Sequence, residues 1–438
     1  MSDTHAQTVA FARETMLPEQ DPPVAEAGAV KWLRENLFSS WLNAILTVLS
    51  IYVIYWVLSH TLGWMVNGIW DAESLSECRE VRDRLYGADA SVACWAVLVD
   101  RWNQLLFGFY PRDLYWRPVL ALVLFLGAIA PVLYDSLPRR MLWLTAAAPF
   151  VVFWLLWGGA IWGPIAVAAG FVLAGAVFRF GVAAIGRLGA TIATIVVPIL
   201  YWLFVAGPAA NLLSAILPLG MQYVPSDDFG GFMLALVIGI SGIVLSLPLG
   251  ILLALGRQSD LFIINKFSVV FIETIRGVPL IVWLFTASLL LNYFLPPGTN
   301  FDLMLRVIIM VTLFASAYIA EVVRGGLAAL PRGQYEGADS LGLDYWQAMR
   351  LIILPQALKI SIPGIVSTFI GLFKDTTLVV FIGLLDPIGF SNAIRADTDW
   401  NGIYWELFIF IGLCFFVACY SMSRYSQYLE RKLTTDRR

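Results

Sequence analysis

Ten stretches of the chain are long and apolar enough to cross a bilayer, and short polar segments separate them. A helix covers a hydrocarbon core of about 30 Å with about 20 apolar residues. The candidate spans are 41–64, 117–134, 141–157, 161–178, 190–208, 231–256, 267–291, 303–323, 357–384 and 402–423. Tryptophan and tyrosine collect at several ends (Tyr115, Trp116, Trp157, Trp162, Tyr201, Trp202, Trp400, Tyr404), as interfacial side chains do. The pattern predicts an all-α polytopic membrane protein with about ten transmembrane helices.

One polar segment between spans is patterned rather than shapeless. Residues 336–355 read EGADSLGLDYWQAMRLIILP. Glu336 to Leu341 suits a short helix, which Gly342 can stop in the left-handed conformation. Asp344 then stands as an N-cap with Gln347 three residues on, the capping-box spacing. Tyr345, Met349 and Ile353 follow at i, i+4 and i+8 as one apolar stripe, and Pro355 marks re-entry into the membrane. The expectation is two short helices with one greasy and one polar side.

Composition agrees with the hydropathy pattern. Of 438 residues, 59% are hydrophobic and 13% charged, where soluble domains carry about 25% charged residues. A formal net charge of −3 gives no reason to expect nucleic-acid binding. Two histidines and four cysteines without a Cys/His cluster predict no metal or redox site. Cys78 and Cys94 share the long loop 65–116, where a disulfide and two free thiols are both open. Cys414 and Cys419 read as small apolar fillers in the last span.

Lysine and arginine set the expected orientation. Eighteen of the 28 fall on the side of the N-terminus, and seven on the other, six of those within 65–117. The positive-inside rule therefore places both termini in the cytoplasm, and ten spans require the same parity. The first residues are polar and Pro/Ala-rich without a short apolar core and cleavage site, which reads as a cytoplasmic tail and not a signal peptide. The expected division is a tail at 1–40, a five-span region at 41–208 and an external linker at 209–229. A second five-span domain follows at 230–425, containing the polar loop 324–356, and a cytoplasmic tail closes the chain at 426–438.

The residues of the polar loop resemble a known family. Glu336–Gly337–Ala338, Gly342 after three intervening residues and Ile352–x–Leu354–Pro355 match the EAA loop of the membrane subunits of ABC importers, with Gly337 where alanine is usual. The segments IETIRGVPLIVWLF (272–285), AYIAEVVRGGLAALPRGQYEGADSLGL (317–343) and FIGLFKDTTLVVFIGLLD (369–386) are similar to the permeases that import polar amino acids. The resemblance covers about 230–425, the five-span core of a type I permease. The five extra spans are similar to the longer permeases of bacterial general L-amino-acid or glutamate/glutamine/aspartate/asparagine importers. In that family the loop forms coupling helices that dock on a cytoplasmic ATPase. The resemblance therefore implies that Glu336, Gly337, Ala338, Asp339, Gly342, Leu354 and Pro355 serve ATPase coupling. No Walker A pattern and no Gly-Lys dipeptide occurs, so ATP and Mg are expected on a partner ATPase and no cofactor on this chain.

Three charges lie deep in spans. Arg276 sits nine residues into its span, about 14 Å at 1.5 Å per residue, and Lys374 and Asp375 lie at comparable depth. Each costs about 2.5–3.5 kcal/mol on insertion scales, so such groups face a cavity or one another. Gly277–Val278–Pro279 beside the arginine and Pro363–Gly364 and Gly371 before the lysine predict broken helices there. An amino acid offers a carboxylate suited to Arg276 and an ammonium suited to Asp375. Lys374 would favour acidic side chains and their amides over basic ones. Thr376 and Thr377 could add hydroxyls or bond their own backbone. Against this binding-site reading stands a scaffold reading, in which Asp375 pairs with Arg276 or Lys374 to hold the bundle together. Glu321 and Arg324 are explained by snorkelling, Glu273 by helix packing or a gate.

The expected function is that of a permease subunit of an ATP-driven importer of polar L-amino acids, acidic and amide ones foremost, in the bacterial inner membrane. No catalytic residue is expected. Its expected partners are a second related permease, two cytoplasmic ATPase subunits and a periplasmic amino-acid-binding protein. That protein would dock on loops 292–302 and 385–401. The rival is an ion-gradient-driven secondary transporter with a 5+5 span repeat, against which stands the lack of any TIRGVP or KDT counterpart in 41–208.

Overall fold

A computed structural model describes residues 28–134, 136–290, 293 and 301–435. The first 27 residues, most of loop 292–302 and the last three residues lie outside the described residues. The described residues form two compact units, one of those up to Ile69 with Arg82–Ala93, the other of Trp70–Val81 with those from Cys94 on.

The first unit holds α1 (Gly28–Asn36) and the first span, α2 (Trp41–Val66). Ser40 caps α2 by accepting from the Asn43 N–H at 3.2 Å. Apolar all round and without a buried residue, α2 has the surface of a helix that faces lipid.

The long loop is filled by α3 (Leu75–Tyr86), which begins in the second unit, and by α4 (Ala96–Phe107). A Cys78–Cys94 disulfide settles the question the sequence left open. Spans α5 (Trp116–Leu133) and α6 (Leu142–Trp157) follow, then the short strand β1 (Gly159–Ala160) and α7 (Trp162–Phe204). At 43 residues α7 is too long for one crossing. Gly186, at φ 73° and ψ 172°, breaks it. Only glycine occupies that region without strain. The halves fold back on each other: Tyr201 Oη donates to the Ala166 carbonyl and Trp202 Nε1 to the Val167 carbonyl, each at 3.1 Å. The two spans expected at 161–178 and 190–208 are thus an antiparallel hairpin. The segment read as a linker carries structure: α8 (Ala206–Ile216) precedes β2 (Gly220–Met221), which pairs antiparallel with β1.

Beyond it run α9 (Gly231–Arg257), α10 (Phe262–Arg276), α11 (Leu280–Phe285) and α12 (Leu303–Ala328). Next come α13 (Arg332–Ser340), α14 (Tyr345–Ala348) and α15 (Leu354–Asp375), then α16 (Pro387–Ala396) and α17 (Trp405–Thr435). A π-helical turn, Thr286–Leu290, extends α11, and α10 meets this pair at a 101° bend. Eight described helices are long and apolar enough to span alone. Counting the bent pair as one span and the folded-back α7 as two gives ten among the described residues, in line with the about ten expected. The break at Gly277–Val278–Pro279 is as expected, whereas α15 runs unbroken through Pro363. Its neighbours hold it: Ser361 Oγ donates to the Val322 carbonyl at 3.2 Å, and Gly364 lies close against the Val322 side chain.

Helix α9 packs on α12 through small residues. Gly239, Gly242, Ser246, Gly250 and Ala254 are buried along α9; Gly242 lies against Val311 and Gly250 against Ser316 and Ile319 of α12, while Gly239 faces Phe373 and Thr376. Lipid tails are as apolar as leucine, so close backbone approach and not hydrophobicity drives such contacts. One core at the disulfide end joins Tyr110 and Leu156 to Leu234, Leu284 and Val307. Another at the opposite end gathers Ile272, Ile319, Leu327, Ile353 and Ala357.

The disulfide end folds over loop 385–401. The Leu75 N–H donates to the Asp399 carbonyl, Arg101 pairs with Asp397 and Trp400 Nε1 donates to Asp100, all at 2.8 Å. The Cys94 N–H donates to Glu406 at 2.9 Å. Within this end Asp386 is fully buried and caps α16, with Oδ1 accepting from the Gly389 N–H at 2.8 Å and Oδ2 without a partner. Burial pushes its carboxyl up from 3.8 to about 6, against the opposing pull of the Gly389 N–H. A raised carboxyl pKa means that the fold prefers the neutral acid. The stability it contributes is present at low pH and is lost as pH rises through about 6. At 1.36 kcal/mol for each tenfold change in proton affinity, that preference is worth about 3 kcal/mol. Asp386→Asn keeps the cap acceptor and does not titrate. Its melting temperature in detergent should therefore rise above wild type between about pH 5 and 7.5, and match it below about pH 4.

Candidate functional site

The 332–355 loop folds largely as its punctuation predicts. Gly342 adopts φ 70°. Asp344 and Gln347 close a capping box, Asp344 Oδ1 accepting from the Gln347 N–H at 2.8 Å and Gln347 Oε1 from the Asp344 N–H at 3.0 Å. The first helix starts at Arg332, four residues before Glu336, and Met349–Ile353 is a π-helical turn leading into α15. The apolar stripe is not uniform: Met349 and Ile353 are buried, but Tyr345 is half exposed. A cleft of about 380 Å³ lies between Tyr335, Ala338 and Asp339 on one side and Tyr345, Met349 and Ile353 on the other.

Two kinds of residue make up the loop's surface. Ala338 is buried and anchors α13, while Glu336, Gly337 and Asp339 are exposed. Leu341 and Trp346 stand 73% and 63% exposed beside them. Acidic groups around uncovered apolar side chains make a surface suited to a protein partner. Leu354 and Pro355 begin α15, so the loop is joined rigidly to a span. At its other end it follows directly on α12.

Deeper in the bundle, charges gather on Glu321. Arg257 Nη1 reaches Glu321 Oε1 at 2.6 Å and Glu273 Oε1 at 2.8 Å. Arg324 reaches Glu321 Oε2 at 3.0 Å, and Arg276 Nη1 the same oxygen at 3.6 Å. Glu321 thus ties α9, α10 and α12 together. It is not a snorkelling side chain: it is only 16% exposed, seven residues or about 10 Å above the end of its helix. Arg276 ends α10 at the bend, over the Tyr318 ring at 5.3 Å. Trp283 Nε1 donates across the break to the Ile275 carbonyl at 3.2 Å.

The four residues expected to bind substrate are therefore not one contact set. Arg276 belongs to the Glu321 cluster. Lys374 and Asp375 end α15, Lys374 exposed and Asp375 half-buried, and neither forms an ion pair among the described residues. The scaffold pairing of Asp375 with Arg276 or Lys374 is thus absent from the described residues. Charges within a span face the bundle interior or a water-filled cavity. Thr376 is buried and donates to the Phe373 carbonyl at 2.7 Å, and Thr377 to the Lys374 carbonyl at 2.9 Å. Both hydroxyls donate to their own backbone and keep only acceptor capacity.

Sequence reasoning missed Arg257 and the role of Glu321. A signal was there: Glu273/Arg276 and Glu321/Arg324 are two carboxylate–guanidinium pairs at i, i+3 on separate apolar helices. Charges matched in that way on two spans point to each other more readily than to two separate interfaces. Among the described residues no group of three His, Cys, Asp or Glu could hold a metal ion.

Comparison with known proteins adds to this geometry. The family model described as binding-protein-dependent transport system inner membrane component matches residues 246–435. The chain is 59% identical, over the whole of both chains, to the glutamate/glutamine/aspartate/asparagine transport system permease protein BztC of Rhodobacter capsulatus. It is 38% identical to the inner membrane amino-acid ABC transporter permease protein YhdY of Escherichia coli, over 93% of this chain and 94% of that one. Among solved structures, an amino acid ABC transporter crystallised with histidines is 31% identical. It covers 45% of this chain and 90% of its own, with a TM-score of 0.41.

Proposed function

The chain belongs to the binding-protein-dependent transport inner membrane components, and from that membership we propose that it is the permease of an ATP-driven importer of acidic amino acids and their amides. The observation that carries the reading is the full-length likeness to a permease named for the transport of glutamate, glutamine, aspartate and asparagine. Arg276 would take the α-carboxylate at one point of the path, while Lys374 and Asp375, apart from it at the end of α15, would meet the acidic or amide side chain and the ammonium at another.

Transport would proceed by alternating access. A binding protein delivers the amino acid at the disulfide end, and two ATPase subunits holding ATP and Mg grip α13 and α14 through Glu336, Asp339, Leu341 and Trp346. Because the loop is continuous with α12 and α15, its displacement moves both helices and, through Glu321, α9 and α10. The importer core would comprise 230–425, with a second related permease as the other half and both termini in the cytoplasm of a bacterial inner-membrane protein.

Uptake of labelled L-glutamate by cells carrying the complete importer tests the substrate class. Unlabelled aspartate, glutamine and asparagine in hundredfold excess should each remove most of the signal, and lysine and arginine should leave it intact. Competition by the basic amino acids alone would overturn the proposed class.

A further inference from the structure

Among the described residues the cluster around Glu321 is one anion short. Three guanidiniums, those of Arg257, Arg276 and Arg324, face two carboxylates, those of Glu273 and Glu321. The deficit is localised. Glu321 Oε1 is held by Arg257 at 2.6 Å and Oε2 by Arg324 at 3.0 Å, so both oxygens have a close partner without Arg276. Arg276 is the loosest of the three at 3.6 Å, beyond hydrogen-bonding distance. Its Nε is buried without a hydrogen-bond partner, while the side chain as a whole is 33% exposed. A guanidinium carries five N–H donors in a fork that suits a carboxylate. Here that fork is held in place by the Tyr318 ring and the α10–α11 bend, and it is hardly used.

From this geometry we propose that Glu321 is the positioning residue for substrate capture: it holds Arg276 between cycles and yields it to the α-carboxylate of the incoming amino acid. The exchange is cheap for two reasons. Glu321 loses only its longest contact and keeps two guanidiniums. Arg276 exchanges a distant, monodentate partner for a bidentate one, and the substrate's negative charge completes the cluster. Release needs the reverse step, in which the Glu321 carboxylate competes for Arg276 again. Glu321 lies on α12, the helix that runs into the 332–355 loop, so occupancy of Arg276 is felt at the element proposed to contact the ATPase. The inference rests on the reading of Arg276 as the carboxylate site.

The test is direct binding of L-glutamate to the purified permease–ATPase complex without binding protein, together with uptake by the reconstituted importer. Glu321→Gln removes the competitor. It should tighten glutamate binding about tenfold and slow maximal uptake at least tenfold, because release loses its counter-ion. A merely structural role predicts the opposite sign for affinity. Glu321→Asp is one methylene shorter; it should stretch the 3.6 Å contact further and tighten binding two- to threefold. It supplies the same test should the glutamine variant fail to assemble. Arg276→Gln is measured in parallel. If Arg276→Gln weakens binding but neither Glu321 variant tightens it, the exchange is wrong and Arg276 remains the site. If Arg276→Gln leaves binding unchanged, the carboxylate site lies elsewhere and both proposals fall.

Discussion

Glu336→Lys should leave the permease folded in the membrane and cut ATP-driven uptake at least tenfold. The side chain is exposed on α13, while the anchor of that helix is the buried Ala338 two residues on. An exposed substitution of this kind changes stability by about 0.5 kcal/mol or less. A docking contact responds differently. Reversing a charge against a complementary surface costs several kcal/mol, and each 1.4 kcal/mol is tenfold in affinity. The expected signature is therefore dissociation: normal expression and melting temperature, reduced retention of the ATPase on the purified permease, and lost uptake. Wild-type ATPase retention with normal uptake would remove Glu336 from the docking surface. Loss of the folded permease would instead make α13 a structural element.

Two adjacent glycines should respond oppositely to a single added methyl. A Cβ on Gly326 would lie 2.5 Å from the Ala357 carbonyl oxygen and closer still to Ser361 Oγ, which itself bonds the Val322 carbonyl. The obstruction includes backbone, so α12 and α15 would have to part at the point where both leave the 332–355 loop. Overpacking of this kind costs about 1–3 kcal/mol. A Cβ on the neighbouring Gly325 would meet nothing within 4 Å. There, alanine should stabilise the helix by up to about 1 kcal/mol. Gly326→Ala is expected to lower the yield of monodisperse protein and its melting temperature, and Gly325→Ala to preserve or raise both. Equal behaviour of the two variants would mean that α12 and α15 do not approach as closely as the structure places them.

What could be read in advance was local. The 336–355 element was legible because its helix stop, cap and partner lie within six residues of one another. The capping box at Asp344 and Gln347 forms as the spacing dictates. The hairpin in α7 was legible as two spans around a polar gap, though helix continues through much of that gap. The misses share one cause. Whether Pro363 breaks α15 depends on Val322 from another helix, and whether Cys78 meets Cys94 depends on how α3 and α4 return. Glu321 looked like an interfacial side chain because its partners, Arg257 and Arg276, come from helices whose neighbours no local pattern specifies. Thr376 shows the reverse: the commonest local fate of a helical threonine, a bond to its own backbone, is what the structure contains.

ATP acting through the 332–355 loop is proposed to energise uptake. The decisive measurement uses proteoliposomes holding this chain with its partner permease, ATPase and binding protein. Labelled L-glutamate uptake is measured with and without ATP on the ATPase side, after ionophores have collapsed every ion gradient. Accumulation is expected to survive the collapse, to require ATP and the binding protein, and to fail in Glu336→Lys. Accumulation indifferent to ATP and abolished by the ionophores would mean instead that an ion gradient drives transport.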